Sequence, residues 1–228
     1  ATFFSWHPNG NVDKRTNLYY LESHDLGKTW RTIDRKSVQI PLTEVDNPAL
    51  VHNYFSQTKN IYLKDINFDR NGNPIGLFLL SNNHKPGPDN GLRHWYVAHW
   101  QQDAWQIRKV TTSDHNYDMG SLYVDEHLWW VVAPTAPGPQ PWSVGGEIEI
   151  WESNDQGQNW QRVLQVTSES RFSHSYLRRP ENAHRDFYGF WADAYPDDLS
   201  ISHLHFMNKA GKAFQLPYKI DGESYSFR

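Results

Sequence analysis

SHDLGKTW, residues 23–30, stands between NLYYLES and TWRTI, two runs rich in aromatic and β-branched residues that read as strands. An Asp early in a tight turn accepts hydrogen bonds from the backbone N–H groups ahead of it. A Gly two residues later takes a positive φ at little steric cost. Trp30 then opens the next strand with a ring large enough to pack between sheets. The stretch predicts a β-hairpin, and it recurs. SNDQGQNW, residues 153–160, has Ser, Asp, Gly and Trp in the same register, with Asn159 where Thr29 stands. MNKAGKAF, residues 207–214, keeps the Gly and an aromatic without the Asp, and WQQDAW, residues 100–105, is a shortened turn ending on Trp. The aromatic anchors are thus Trp30, Trp105, Trp160 and Phe214. The last two intervals agree to within one residue and the first is longer by one loop, as a radial β repeat of about 50 residues gives.

Composition points the same way. The chain has 228 residues, enough to bury a sizeable core, and aromatics make up 15% of it, with 11 Trp and 12 Tyr against 2 Met. Flat rings favour pleated surfaces and supply the stacking faces that sugar binders use. A net charge of −4 argues against a general nucleic-acid binder. No apolar run reaches the roughly 18 residues of a membrane span, and TFFSWHPNGN after Ala1 shows no signal-peptide pattern. With no Cys, there are no disulfides and no thiolate metal sites.

S-x-D-x-G-x-T-W resembles the Asp box of sialidase-type (BNR) repeat proteins, which are β-propellers. VDKRTNLYYLESHDLGKTW, SDHNYDMGSLYV, APTAPGPQPWSVGGEIEIWES and YLRRPENAHRDFYGFWAD together resemble a bacterial BNR-repeat family related to ulvan-lyase-like polysaccharide lyases. The resemblance implies an all-β fold, a β-propeller of four-stranded antiparallel blades with Asp-box turns, itself part of a larger propeller. The expected strands are TFFSW, NLYYLES and TWRTI in a first, partial blade. IYLKDINF, PIGLFLLS, HWYVAHW and WQIRKVT make the next, and GSLYVDE, LWWVVAPT, EIEIWES and NWQRVLQV a third. YLRRPEN, FYGFWADA, ISHLHFM and AFQLP make the last. Residues 1–228 then form a single propeller region of about three and a half blades, the C-terminal part of a longer chain. The resemblance also implies a secreted or periplasmic protein and a histidine pair on an earlier blade.

In such propellers the Asp box joins the third strand to the fourth, away from the active site. The loops at the functional end are therefore HPNGNVDKRT, NNHKPGPDNGLR, APGPQPWSVG and YPDDLS, with the inter-blade segments VQIPLTEVDNPALVHNYFSQ, SDHNYDM and SESRFSHS. Arg15, Arg93 and Arg178 (with Lys14 beside Arg15) are cations suited to an acidic sugar, because a guanidinium binds a carboxylate through two parallel hydrogen bonds. SDHNYDMGS, residues 113–121, is the densest chemical cluster, bringing His115, Tyr117 and Asp118 before an innermost strand. His94, His174 and Tyr176 are further candidates, and Trp142, on a stiff Pro/Gly loop, is a sugar-stacking platform. His203 and His205 share a strand face, but two imidazoles do not make a metal site, and no metal or cofactor is expected.

Two classes of function follow. An enzyme would degrade a uronic-acid-containing polysaccharide by β-elimination: Arg178 neutralises the carboxylate, and His115 or Tyr117 moves the protons. Arg15, Arg93, His94, Asp118, Trp142, His174 and Tyr176 would bind substrate. A glycoside hydrolase of sialidase-like fold is the alternative enzyme, and would need paired carboxylates or a Tyr–Glu nucleophile. The other class is a non-catalytic glycan-binding propeller. The partner in each case is a polysaccharide or oligosaccharide.

Overall fold

The computed structural model describes residues 1–219 and 222. Its regular structure is almost wholly β, with three single-turn 3-10 segments. β1 (Thr2–Trp6) and β2 (Thr16–Leu21) begin the first sheet, followed by a separate ribbon of β3 (Trp30–Arg31) and β4 (Ser37–Val38). β5 (Leu50–His52) returns to pair with β2, giving the order β1-β2-β5. The second sheet runs β6 (Asn60–Phe68), β7 (Pro74–Ser81), β8 (Arg93–Gln101) and β9 (Ala104–Ser113). The third runs β10 (Ser121–Val124), β11 (Trp129–Ala136), β12 (Glu147–Ser153) and β13 (Gln161–Gln165). The fourth runs β14 (Ser173–Arg178), β15 (Gly189–Ala194), β16 (His203–Met207) and β17 (Ala213–Gln215). Within these three sheets each strand pairs antiparallel with the next in sequence.

The strands expected for the last three sheets are present, with the first strand of the fourth beginning at Ser173 rather than Tyr176. The first sheet differs. TWRTI forms only the two-residue β3, tied to β2's end by a bridge between Glu22 and Arg31, and the fourth place is taken by β5. β5 comes from a segment whose composition reads as connection.

Consecutive sheets pack face to face, which explains why β7 has every residue buried. Ile75, Leu77 and Leu79 join Trp95, Leu122, Trp129 and Val131 between the second and third sheets. Phe78 and Leu80, on the other face of the same strand, join Leu18, Tyr54 and Ile61 toward the first. β11 divides likewise: Val131 and Ala133 face the second sheet, and Val132 faces Leu177, Trp191 and Met207 of the fourth. Strands buried on both faces read as continuous apolar runs.

The two Asp boxes are built alike. Asp25 accepts the Thr29 N–H at 2.9 Å and the Thr29 hydroxyl at 2.7 Å, and Ser23 Oγ accepts the Gly27 N–H at 2.8 Å. The Thr29 bonds, its backbone N–H first, and the Ser23 hydroxyl's bond to Asp25 lower the Asp25 pKa to about 2. In the second box the Asn159 amide stands in for the hydroxyl, donating to Asp155 at the same 2.7 Å. Each Trp donates its indole N–H to the box glycine, Trp30 to Gly27 and Trp160 to Gly157. At residues 207–214 Asn208 takes the Asp role, accepting the Ala210 and Lys212 N–H groups at 3.0 Å each.

The two box glycines should respond differently to substitution. Both have positive φ, but a Cβ on Gly157 would meet the Trp129 ring at 2.8 Å, and one on Gly27 meets nothing nearer than Trp30 at 3.7 Å. Gly157→Ala is expected to cost about 1–3 kcal/mol more than Gly27→Ala, from overpacking against a buried indole. Parallel denaturant melts check it.

Candidate active site

The loops β7–β8, β11–β12 and β15–β16 are second-to-third strand connections of their four-stranded sheets, and β1–β2 joins the first two strands of the first sheet; they emerge at one end of the molecule, opposite the Asp boxes. Hydrogen bonds join them sideways. Asn60 Nδ2 donates to Asp13 O, Asn116 Nδ2 to His84 O, Trp142 N to Asp114 Oδ2, and Ser143 Oγ to Asp197 Oδ2. The segment between β9 and β10, residues 114–120, lies among them.

Asp118 organises that segment. Its carboxylate is fully buried and accepts the His115 N–H at 3.0 Å and the Gly145 N–H at 2.8 Å. Desolvation raises its pKa. Asn116, also fully buried, accepts from Arg93 Nε at 2.6 Å and donates to the Tyr62 hydroxyl at 3.1 Å. Arg93 is itself fully buried, its remaining nitrogens on the carbonyls of Gly91 and Lys85. A guanidinium consumed in this way fixes loops and is not free to hold a substrate carboxylate.

The chain reverses at Tyr117. With its neighbours anchored, Tyr117 is 41% exposed, and its hydroxyl accepts a 2.9 Å hydrogen bond from Arg15. The Arg15 guanidinium lies 4.7 Å from the centre of the Tyr62 ring, against which Tyr117 packs edge-on at 5.7 Å. The Tyr117 N–H donates to His115 Nδ1 at 3.0 Å, so a neutral His115 carries its proton on Nε2. Burial, with Arg93 and Lys64 nearby, lowers the His115 pKa to about 4. It is an uncharged hydrogen-bond donor at neutral pH.

Arg178, at the end of β14, is exposed, and its charge acts on Lys64 and Asp65 of β6. Tyr176, 54% exposed, sits in the β14 bulge with φ of 58°. A non-glycine residue held in the left-handed region within a strand is a strain that functional sites often carry. Trp142 also has a positive φ, and its N–H on Asp114 pins the β11–β12 loop.

Two candidates lie elsewhere. His94 follows Arg93 on β8 and so points to the opposite face, within the influence of Lys109 and Lys59, with a buried Nδ1 that makes no hydrogen bond. His174 belongs to a buried chain: Trp191 Nε1 donates to His174 Nδ1 at 2.9 Å, and Ser170 lies 2.9 Å from Nε2 and donates to Glu147 at 2.8 Å. Burial lowers its pKa to about 4. His174, Asp193 and His205 bring ligand-type atoms within 4.8 Å of one another. The Trp191 bond nonetheless occupies the Nδ1 lone pair and leaves the proton on Nε2. His174 in this arrangement offers no lone pair to an ion, and Asp193 is shared between His203 and His205.

Sequence reasoning missed Lys64 and Tyr62. Lys64 is 8% exposed, donating to Asn116 O at 2.7 Å with the Tyr62 and Trp95 rings on either side. The available signal was a lysine two residues from Tyr62 on the same strand.

Residues 1–113, which end with β9, carry the signature of a described family. They match the BNR repeat-containing family. No curated protein matches the sequence. Among solved structures, an ulvan lyase of polysaccharide lyase family PL25 is similar with a TM-score of 0.66 at 13% identity, over 86% of this chain and 43% of that one. A PL25 ulvan lyase bound to -[GlcA(1-4)Rha3S]- gives 0.65, and the polysaccharide lyase Uly1 gives 0.53 at 13% identity, over 85% of this chain and 40% of that one. The likeness is one of fold, and this chain spans less than half the length of those proteins.

Proposed function

We propose that the four sheets are consecutive blades of a larger β-propeller, and that the chain cleaves a uronic-acid-containing polysaccharide by β-elimination outside the cell or in the periplasm. The observation that carries the reading is the exposed Tyr117 hydroxyl held by Arg15 beside a neutral His115. The fold shared with ulvan lyases supports it. Among the described residues no helix is long and apolar enough to cross a membrane.

In β-elimination a base removes the C5 proton, the electron pair forms the C4–C5 double bond, the C4–O bond breaks and the leaving oxygen takes a proton. Arg178 binds the carboxylate and stabilises the negative charge that develops on it as C5–H is lost. His115 offers Nε2–H and has no basic lone pair, because Nδ1 is occupied by the Tyr117 N–H. Proton transfer therefore falls to Tyr117, whose oxygen is steadied by Arg15 as charge passes through it. Asp114 and Asp118 hold backbone N–H groups, so neither serves as a hydrolase carboxylate. Two cavities at the same end accommodate flanking sugars. One of about 390 Å³ is lined by Lys14, Lys59, His84 and the exposed Phe55. The other, of about 480 Å³, is lined by Phe172, Tyr195 and His203. Incubation with uronate polysaccharides should yield fragments ending in an unsaturated uronate, and the same polysaccharides with their carboxyls reduced to alcohols should stay intact.

A further inference from the structure

Lys64 has no part in the scheme above, yet its position is costly. An ammonium withdrawn from water loses several kcal/mol of hydration, and replacing buried charges by apolar groups is often neutral or stabilising. Its contacts are one main-chain carbonyl, the Met119 sulfur at 3.4 Å and two ring faces at 5.8 Å. That carbonyl belongs to the Asn116–Tyr117 peptide, whose N–H is the one donated to His115 Nδ1. Burial lowers the Lys64 pKa to about 7, with Asp118 opposing, and the donor that Lys64 places on the oxygen polarises the amide and strengthens the hydrogen bond that its N–H makes. Lys64, the peptide plane and the imidazole therefore form one directed line.

We propose that Lys64 is a positioning residue: through the Asn116–Tyr117 peptide it fixes His115 as the Nε2–H tautomer and holds the Tyr117 side chain at the mouth of the site. The proposal rests on the assignment of Tyr117 and His115 made above. Asn116's side chain is held separately by Arg93 and Tyr62, so the loop keeps anchors when Lys64 is changed. The charged groups acting on His115 are Arg93 from β8, Lys64 from β6 and Asp197 from the β15–β16 loop. Removing Lys64 thus removes one of two positive neighbours and the polarised donor at Nδ1 together.

The test is Lys64→Met, which fills the space between the Tyr62 and Trp95 rings, read by ¹⁵N NMR of the histidine side chains. The wild-type protein should show His115 as the Nε2–H tautomer at neutral pH. The variant should show a higher His115 pKa and a mixture of tautomers. On a substrate of the wild-type protein, kcat should fall about 10–100-fold with KM within about threefold, as expected when geometry alone is loosened. An unchanged His115 titration and tautomer in a folded variant would overturn the proposal, and so would an Nδ1–H tautomer in the wild type if the variant fails to fold. The NMR readout needs no substrate, so it separates failure of this proposal from failure of the lyase reading.

Discussion

Tyr117→Phe should abolish most turnover while leaving the fold and substrate binding in place. The ring's edge-on contact with Tyr62 survives the change, and among the described residues the hydroxyl's one hydrogen bond is the exposed one from Arg15. Removing one acid–base group typically costs 10²–10⁴-fold in rate, and about that loss in kcat is expected here. Affinity for an uncleaved oligosaccharide, measured calorimetrically, should change less than about threefold, because the carboxylate contact belongs to Arg178. A variant within tenfold of wild-type kcat would remove Tyr117 from the chemistry.

The second large effect is loss of stability in mild acid. His115 and His174 are both held at about 4, against 6.5 for a free imidazole, chiefly by burial. A histidine whose folded pKa is depressed binds its proton more readily when unfolded. Stability is therefore intact above pH 6.5 and declines as the pH falls from 6.5 toward 4. Each residue removes about 2 kcal/mol at pH 5 and at most about 3 kcal/mol by pH 4. In denaturant melts between pH 7 and pH 5 the pair contributes a loss of about 4 kcal/mol, which Asp118, its pKa raised by burial, partly offsets as it takes up a proton. His174→Gln, which can still accept from Trp191 and donate toward Ser170, should flatten the slope by about half. A slope between pH 7 and pH 5 that His174→Gln leaves unchanged would contradict the neutral, buried state of that ring.

How much of this was legible depends on how local each signal is. The Asp boxes could be read because Ser, Asp, Gly and Thr act within eight residues, and Asn159 substitutes for Thr29 by offering the same donor. The strands of the last three sheets were legible because burial on both faces leaves uninterrupted apolar runs such as PIGLFLLS. β5 was not, since Leu50–His52 is short and earns its place only by pairing with β2 across a long connection.

At the site, SDHNYDM announced itself by density, but the division of labour within it did not. Arg93 looked like a ligand-binding cation and is spent on Asn116 and two carbonyls. His94 is separated from it by strand alternation alone. His174 is committed to Trp191, a partner on the neighbouring strand that no local pattern reveals. Lys64 was passed over because a lysine in a strand reads as a solvated position, and only the β9–β10 segment and the Trp95 ring of β8 enclose it.

The central claim is elimination at a uronate, and the products of digestion decide it. A panel of uronate-containing polysaccharides is incubated with the full-length protein, and the fragments are followed by ultraviolet absorbance and mass spectrometry. The account predicts new ends that absorb as conjugated unsaturated uronates and are lighter by one water than hydrolytic fragments of the same length. Fragments of hydrolytic mass without that absorbance, or tight binding of the polysaccharide with no cleavage, would contradict it.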